Sequence, residues 1–382
     1  MRIIVFGGDG FCGWPTTLKL LRSGHEITVV DNLSRRQIDV ALGSNSLTEI
    51  APIESRIETA KLLISDKLDF INLDVANDVE ALRSLIERKK PEAVVQFAEQ
   101  RAAPYSMISD DERRYTVNNN VSGTHNLCSA IVDIVPDCHL IHLGTMGVYG
   151  YSKEFGAIPE GYLDITINET SQNTEILYPA NPGSIYHMTK CLDQLIFQFY
   201  VKNWGLSVTD LHQGIVWGVE TEETGLAKEL TNRFDYDGIY GTVLNRFISQ
   251  ALNGQNLTVY GTGGQSRAFI HISDTAKCIQ LAAENPPLNT NRVRIFNQVS
   301  EVQSVLGLAK IVSSKYNVGV DLIENPRKEL VENELIVSNQ GLRSLGFQPV
   351  KLNDDLLKDT ANLASNLKSN FNKDIVLSSP KW

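Results

Sequence analysis

Tyr186-His187-Met188-Thr189-Lys190 sets a phenol and an ammonium four residues apart, on one face of a helix. A phenol, with an ordinary pKa of about 10, is a weak base near neutrality. A neighbouring ammonium favours the phenolate. A phenolate can then take the proton of a hydroxyl group while hydride leaves the adjoining carbon. Thr145 ends the apolar run His139–Thr145 and can hydrogen-bond the same hydroxyl. A second group lies near the start, in Gly7-Gly8-Asp9-Gly10-Phe11-Cys12-Gly13. Gly7, Gly10 and Gly13 follow an apolar run and precede a helical pattern. That context suits a turn whose backbone approaches a pyrophosphate at a helix N-terminus. Asp31 stands 18 residues after Gly13, near the ~20 expected of the carboxylate that accepts both ribose hydroxyls. It repels a 2′-phosphate and so favours NAD, a preference that Arg35 and Arg36 could reverse. Asp74 is read as the end of the third strand, facing an adenine amine or solvent. Asn119 is read as opening a helix, either positioning the catalytic helix or serving as an N-cap. His139 and His142 are three apart on a predicted strand and so face opposite sides; no metal site is expected.

These groups need a scaffold, and the chain spells one. Runs at Arg2–Phe6, Glu26–Asp31, Asp69–Asp74, Ala93–Ala98 and His139–Thr145 read as strands. Helical stretches at Phe11–Ser23, Ile57–Ile64, Val79–Arg88 and Asn119–Ile134 lie between them. Near-continuous apolar strands separated by helices predict a parallel sheet covered on both faces. Ile185–Trp204 reads as a long helix, Ser207–Trp217 as a sixth strand and LTVYGTGG (257–264) as a short strand into a turn. Trp217 and Phe247 read as core. The Glu/Asp-rich stretch 219–237 reads as a mobile lid or a solvated loop. The fold class expected is α/β: a Rossmann-type doubly wound parallel sheet with a smaller mixed α/β C-terminal lobe for substrate. A formal net charge of −10 over 382 residues argues against non-specific nucleic-acid binding. No run approaches the roughly 18 apolar residues of a membrane span. Five widely spaced cysteines do not form a disulfide framework. With a strand beginning at Arg2, a cytoplasmic setting without a signal segment is expected.

The glycine turn, Asp31, Thr145 and the Tyr186/Lys190 pair together resemble the extended short-chain dehydrogenase/reductase superfamily, the NAD-dependent epimerases and dehydratases of nucleotide sugars. The resemblance implies NAD as cofactor, a homodimer built on the helices near Asn119 and Ile185, and a cofactor wall that adds Phe11, Asn32, Arg35, Val75 and Ala98. It implies an NAD-binding domain over 1–218 with a return contribution near 265–300, and a UDP-sugar lobe over 219–264 and 301–382. Ordinary 4,6-dehydratases of that superfamily carry an Asp-Glu pair directly after the threonine. Here Met146-Gly147-Val148 follows, so an ordinary dehydratase is disfavoured.

Longer motifs narrow the resemblance. They are EQRAAPYSM (99–107), GTMG (144–147), NRFDYDGIYGTVLNRF (232–247), LTVYGTGGQSRAFI (257–270) and Phe296-Asn297-Gln298. They are similar to the branch that joins sulfite to UDP-glucose, forming a sulfonated sugar nucleotide. UDP-hexose 4-epimerase or a dehydratase-like enzyme is the alternative. The resemblance puts Thr145, Met146, Tyr186, His187 and Lys190 at the catalytic centre. Arg101 would hold sulfite, or else pair with Asp110, Asp111 or Glu112. His187 would donate to sulfite or the leaving hydroxyl, or else simply pack. Gln213, Thr242, Asn245, Thr258, Tyr260, Arg267 and Arg327 would hold sugar or UDP, the arginines suiting a diphosphate. Plant members carry Glu where this chain has Val148, which removes one candidate acid/base.

Overall fold

The computed structural model describes the whole chain except residues 151–155, 169–171, 289–290, 328–333, 353–356, 358–359, 365–367 and 378–379. Strands β1 (Arg2–Phe6), β2 (Glu26–Asp31), β3 (Leu68–Asn72), β4 (Ala93–Gln96) and β5 (His139–Thr145) alternate with helices α1 (Gly13–Arg22), α2 (Ser34–Leu42), α3 (Ile53–Leu63), α4 (Val79–Lys89) and α5 (Asp110–Ile134). An antiparallel hairpin, β6 (Tyr162–Ile167) and β7 (Gln172–Leu177), precedes α6 (Ile185–Trp204). Strand β8 (Ser207–Gln213) follows, then β9 (Ile215–Trp217), α7 (Val243–Leu252), β10 (Leu257–Tyr260), β11 (Ser266–His271), α8 (Ile272–Glu284) and β12 (Arg294–Gln298). The chain closes with β13 (Glu301–Ser304), α9 (Val305–Tyr316), β14 (Val320–Ile323) and the short α10 (Gln340–Ser344).

Seven strands form one parallel sheet in the order β12-β8-β5-β4-β1-β2-β3. Within it the run 3-2-1-4-5 is the doubly wound order, and it reverses between β1 and β4. Side chains alternate across the sheet. Ile3 and Val5 pack with Trp14 and Leu18 of α1 on one face. Ile4 and Phe6 pack with Leu127 and Ile131 of α5 and Phe197 of α6 on the other. A third core, with Trp217, Phe234, Phe247, Leu257 and Phe269, holds the small sheets β10-β14 and β13-β11-β9. Among the described residues no helix is long and apolar enough to cross a membrane.

Several elements differ from the sequence reading. The expected sixth strand is two strands. It breaks at Gly214, where a Cβ would lie 2.8 Å from the Ala268 carbonyl oxygen. Beyond the break β9 leaves the large sheet and pairs with β11. Helix α5 starts at Asp110, capped by the Ser109 hydroxyl and with Asp110, Asp111 and Glu112 in its first turn. Asn119 is therefore a mid-helix residue and neither opens nor caps it. Asp74 lies two residues beyond the end of β3, in a turn where its carboxylate accepts the Ala76 and Asn77 amides. The second half of 219–237 is not a solvated loop. Asn232, Arg233, Phe234, Asp235, Tyr236 and Asp237 are all buried, because Phe234 and Tyr236 enter the third core and Asp235 meets arginines.

Candidate functional site

A cavity of about 1040 Å³ lies over the C-terminal ends of β1, β4 and β5, at the point where strand order reverses. Its cofactor wall begins at the turn after β1. Gly7 has φ +75°, and a Cβ on Gly13 would lie 2.1 Å from the Gly7 carbonyl oxygen. Only glycine allows α1 to start this close to the strand. Gly7, Gly10, Phe11 and Gly13 line the cavity, as do Asp31, Asn32, Arg35, Val75, Ala98 and Asn119. Asp31 accepts the Asp9 and Leu33 amides at 2.9 and 2.8 Å. Burial, aided by the Asp9 charge, pushes its carboxyl up to about 6. Asp74 stands behind this wall and accepts the Asn32 side-chain amide at 3.0 Å. Arg36 is clasped by Asp9 at 2.7 Å, and Arg35 pairs with Asp39 and, at 3.3 Å, with Asp235. Both guanidiniums are thus engaged by carboxylates.

On the opposite wall, α6 presents Tyr186 and Lys190. The Ser184 hydroxyl caps the helix by accepting the His187 amide, and the Tyr186 amide donates to the Ser106 hydroxyl. Thr145 accepts the Gly147 amide at 3.1 Å and faces the Tyr186 phenol, whose pKa it lowers. Burial raises the phenol above its ordinary pKa against the lowering charge of Lys190, and Glu99 adds to the rise. Within the protein alone, burial thus outweighs the ammonium and favours the protonated phenol. A positive ring in the cavity would lower the phenol again. Lys190 itself donates to the Leu143 carbonyl at 2.6 Å and pairs with Glu99 at 2.7 Å. His187 lines the cavity, and burial together with Arg327 and Arg267 pushes it down to about 4, so it is neutral near pH 7. A Cβ on Gly147 would lie 2.2 Å from the His187 ring, so glycine there makes room for it.

The remaining predicted residues divide. Gln213, Thr242, Tyr260, Arg267, Arg327 and Arg101 line the cavity. Arg101 pairs with Asp235 at 2.6 Å rather than with the acids of the α5 start. Asn245 and Thr258 do not line it. Asn245 braces the Gly218 backbone, accepting its N–H at 3.1 Å, and Thr258 accepts from the Gln250 amide at 3.0 Å. The Met146 side chain is also absent from the wall and packs with Val148, Tyr149 and Tyr178.

Comparison with known proteins agrees with this geometry. A profile of the NAD dependent epimerase/dehydratase family matches residues 3–297. The chain belongs to that family. Over its full length it is 42% identical to the chloroplastic UDP-sulfoquinovose synthase of Spinacia oleracea, covering 79% of that protein. It is likewise 38% identical to the UDP-sulfoquinovose synthase of Sulfolobus acidocaldarius, covering 98% of it. Among solved structures, UDP-glucose 4-epimerase of Thermotoga maritima superposes with a TM-score of 0.66 at 21% identity, covering 96% of each chain. UDP-glucuronic acid 4-epimerase of Bacillus cereus, solved with NAD, gives 0.68 at 20% identity, covering 96% of this chain and 100% of that one. The family's cofactor is NAD, and the glycine cradle with Asp31 fits it.

The sequence reading of this family member missed a buried charged cluster behind Lys190. His142 on β5 lies 2.9 Å from Glu99, 2.8 Å from Asp210 and 3.6 Å from Asp193. Asp210 in turn meets His212 at 2.9 Å, and His212 meets the Tyr149 hydroxyl at 2.6 Å. Polar side-chain atoms of Glu99, His142 and Asp193 lie within 4.8 Å of one another, and the Lys190 ammonium supplies a cation there. One signal was available. Asp210 and His212 are two apart on a strand and must share a face.

Proposed function

We propose that the protein makes UDP-6-sulfo-6-deoxyglucose from UDP-glucose and sulfite. One observation carries the reading: the full-length likeness to two UDP-sulfoquinovose synthases falls on a cavity lined by Thr145, Tyr186, Lys190, His187 and Arg101. Bound NAD supplies the acceptor and later the donor of hydride. Tyr186 takes the proton of the C4 hydroxyl as the C4 hydrogen leaves, while Thr145 holds that oxygen. Lys190 keeps a positive charge beside the phenol. The resulting 4-ketone acidifies C5–H, and loss of the C6 hydroxyl as water gives a conjugated enone. Sulfite adds through sulfur at C6, a proton returns to C5, and the ketone is reduced. Arg101, with Asp235 balancing part of its charge, is the cation for sulfite. His187, being neutral, acts as a hydrogen-bond partner at C6 rather than as a second cation. Arg267 and Arg327 take the diphosphate, with Thr242 and Tyr260 beside the nucleotide and Gln213 beside sugar or cofactor.

Residues 1–218, with a return contribution near 265–300, are read as the NAD-binding unit, and 219–264 with 301–382 as the UDP-sugar part. A homodimer is read from the outer face of α6, where Leu195, Phe199 and Trp204 are each more than half exposed. Free, buried thiols support a cytoplasmic setting. Incubation with UDP-glucose, with and without sulfite, tests the function by mass analysis. A sulfonated nucleotide sugar formed only with sulfite is expected. UDP-galactose formed in its place would establish the 4-epimerase reading.

A further inference from the structure

A redox-neutral cycle borrows a hydride and a proton together, and both must be returned. The cofactor holds the hydride; the question is where the protein keeps the proton. Tyr186 is the base read at the reacting oxygen, and Val148, buried in an apolar cluster, brings no carboxylate to that wall. If Tyr186 kept the first proton it could not serve again.

The buried cluster provides a place. The His142 Nε2 atom stands 3.1 Å from the Lys190 ammonium and 2.9 Å from a Glu99 oxygen. It can therefore accept from the lysine when neutral or donate to the carboxylate when charged. Its Nδ1 atom faces Asp210 at 2.8 Å in either state. The ring is wholly buried, with the edge of Phe197 against it at 4.8 Å. Glu99 comes from the loop after β4, Lys190 and Asp193 from α6, and Asp210 with His212 from β8. The thiols of Cys128 on α5 and Cys191 on α6 are pushed up, first by burial and then by Asp193, and stay protonated. Burial and the Glu99 charge push the Asp193 carboxyl up, so Glu99 and Asp210 are the two carboxylates that balance Lys190 and a charged His142. At its far end the chain closes on Tyr149, held by Asn297 at 2.9 Å.

We propose that His142 is a positioning residue whose protonation follows the charge of the nicotinamide ring, storing through Lys190 the proton that Tyr186 takes from the sugar. The inference rests on the reading of Tyr186 given above. In the oxidation step the C4–H electron pair leaves as hydride, and the O–H pair becomes part of the carbonyl. The hydroxyl proton passes to Tyr186. Lys190 then hands an Nζ proton to His142 Nε2 and is recharged from Tyr186 through one bridging hydroxyl or water in the cavity that both line. Tyr186 is a base again, and the closing reduction reverses each transfer. The direction of the His142 shift agrees. Burial and Lys190 lower it, yet Asp210 and Glu99 outweigh them and bring it up to about 9. A cationic ring lowers it toward neutrality, and loss of that charge restores it.

The test reads the cofactor state alone. Histidine resonances of ¹³C-labelled holoenzyme are titrated with NAD bound, and again after borohydride reduction of the bound ring. The His142 signal is the one missing from His142→Asn, or, if that variant does not fold, the one moved to lower pH by Glu99→Gln, since Glu99 pairs with His142 and not with His212. Its midpoint should be higher by about one pH unit in the reduced holoenzyme, the order expected when a unit charge changes near a buried group. The same rise in Tyr186→Phe holoenzyme would show that the store does not depend on the phenol's own titration. Equal midpoints in the two cofactor states, or no titration in either, would overturn the proposal. Failure to form the sulfonated product, with the His142 shift present, would instead sink the functional reading and leave the store standing.

Discussion

The two walls of the cavity are built on opposite principles. The phosphate-facing turn works by closeness: glycines bring backbone to within van der Waals contact, and the carboxylate that lines the cavity there, Asp31, is held by backbone amides. The wall behind Lys190 works by charge: Glu99, His142, Asp210 and His212 are buried and paired with one another and with Lys190, and Asp193 lies beside them. A steric site fails when an atom is added. A charged site fails, or changes its pH response, when a charge is removed.

The largest effect is expected on the steric side. Gly13→Ala puts a Cβ 2.1 Å from the Gly7 oxygen, so α1 must shift away from the cradle. NAD occupancy of the purified protein should fall roughly tenfold or more, by the usual cost of overpacking. Full occupancy would break the contrast between the walls. Next comes Tyr186→Phe, which should retain NAD yet lose about 10²- to 10⁴-fold in the rate of cofactor reduction by UDP-glucose. A rate close to that of the unaltered enzyme would remove Tyr186 from its role.

On the charged wall, Glu99→Gln should act through pH. Glu99 raises the Tyr186 phenol, so removing its charge lowers that pKa. The acid limb of the pH–rate profile should move to lower pH by about one unit. A move upward, or none, would show that Glu99 is only packing.

Stability gives a smaller and broader effect. His139 and His271 are buried and neutral, pushed down to about 3 and about 4, in each case mainly by burial. An unfolded chain binds protons at these sites from near pH 6.5 downward, whereas the folded one does not. Their contribution is thus present above that pH and is lost as pH falls toward 4. Urea melts should show a midpoint that falls with acidification below about pH 6.5. The smallest change is expected from Asn245→Ala, which leaves the Gly218 N–H without its partner. It should cost about 1–3 kcal/mol in denaturant unfolding with substrate affinity unchanged. A selective loss of UDP-sugar affinity would return Asn245 to the binding site.

The glycine turn, Asp31, and the Tyr186/Lys190 pair were readable because each is local: a turn, a strand end, one helical turn. The parallel sheet was readable for the same reason, since a strand buried on both faces is apolar along its length. The elements misplaced by sequence were those whose signals are non-local. The polar start of α5 faces solvent and carries no apolar stripe. The break at Gly214 is imposed by the Ala268 backbone, which belongs to a strand some fifty residues away.

Chain chemistry by itself determined the sheet, the dinucleotide turn and the identity of the phenol–ammonium pair, because backbone propensity and side-chain spacing act within a few residues. Only the tertiary structure decided that Arg101 faces Asp235, that Asn245 and Thr258 turn away from the cavity, and that two histidines and three acids converge behind Lys190. Such convergence depends on which strands lie side by side, and burial sets the charge of each group only once those strands have met.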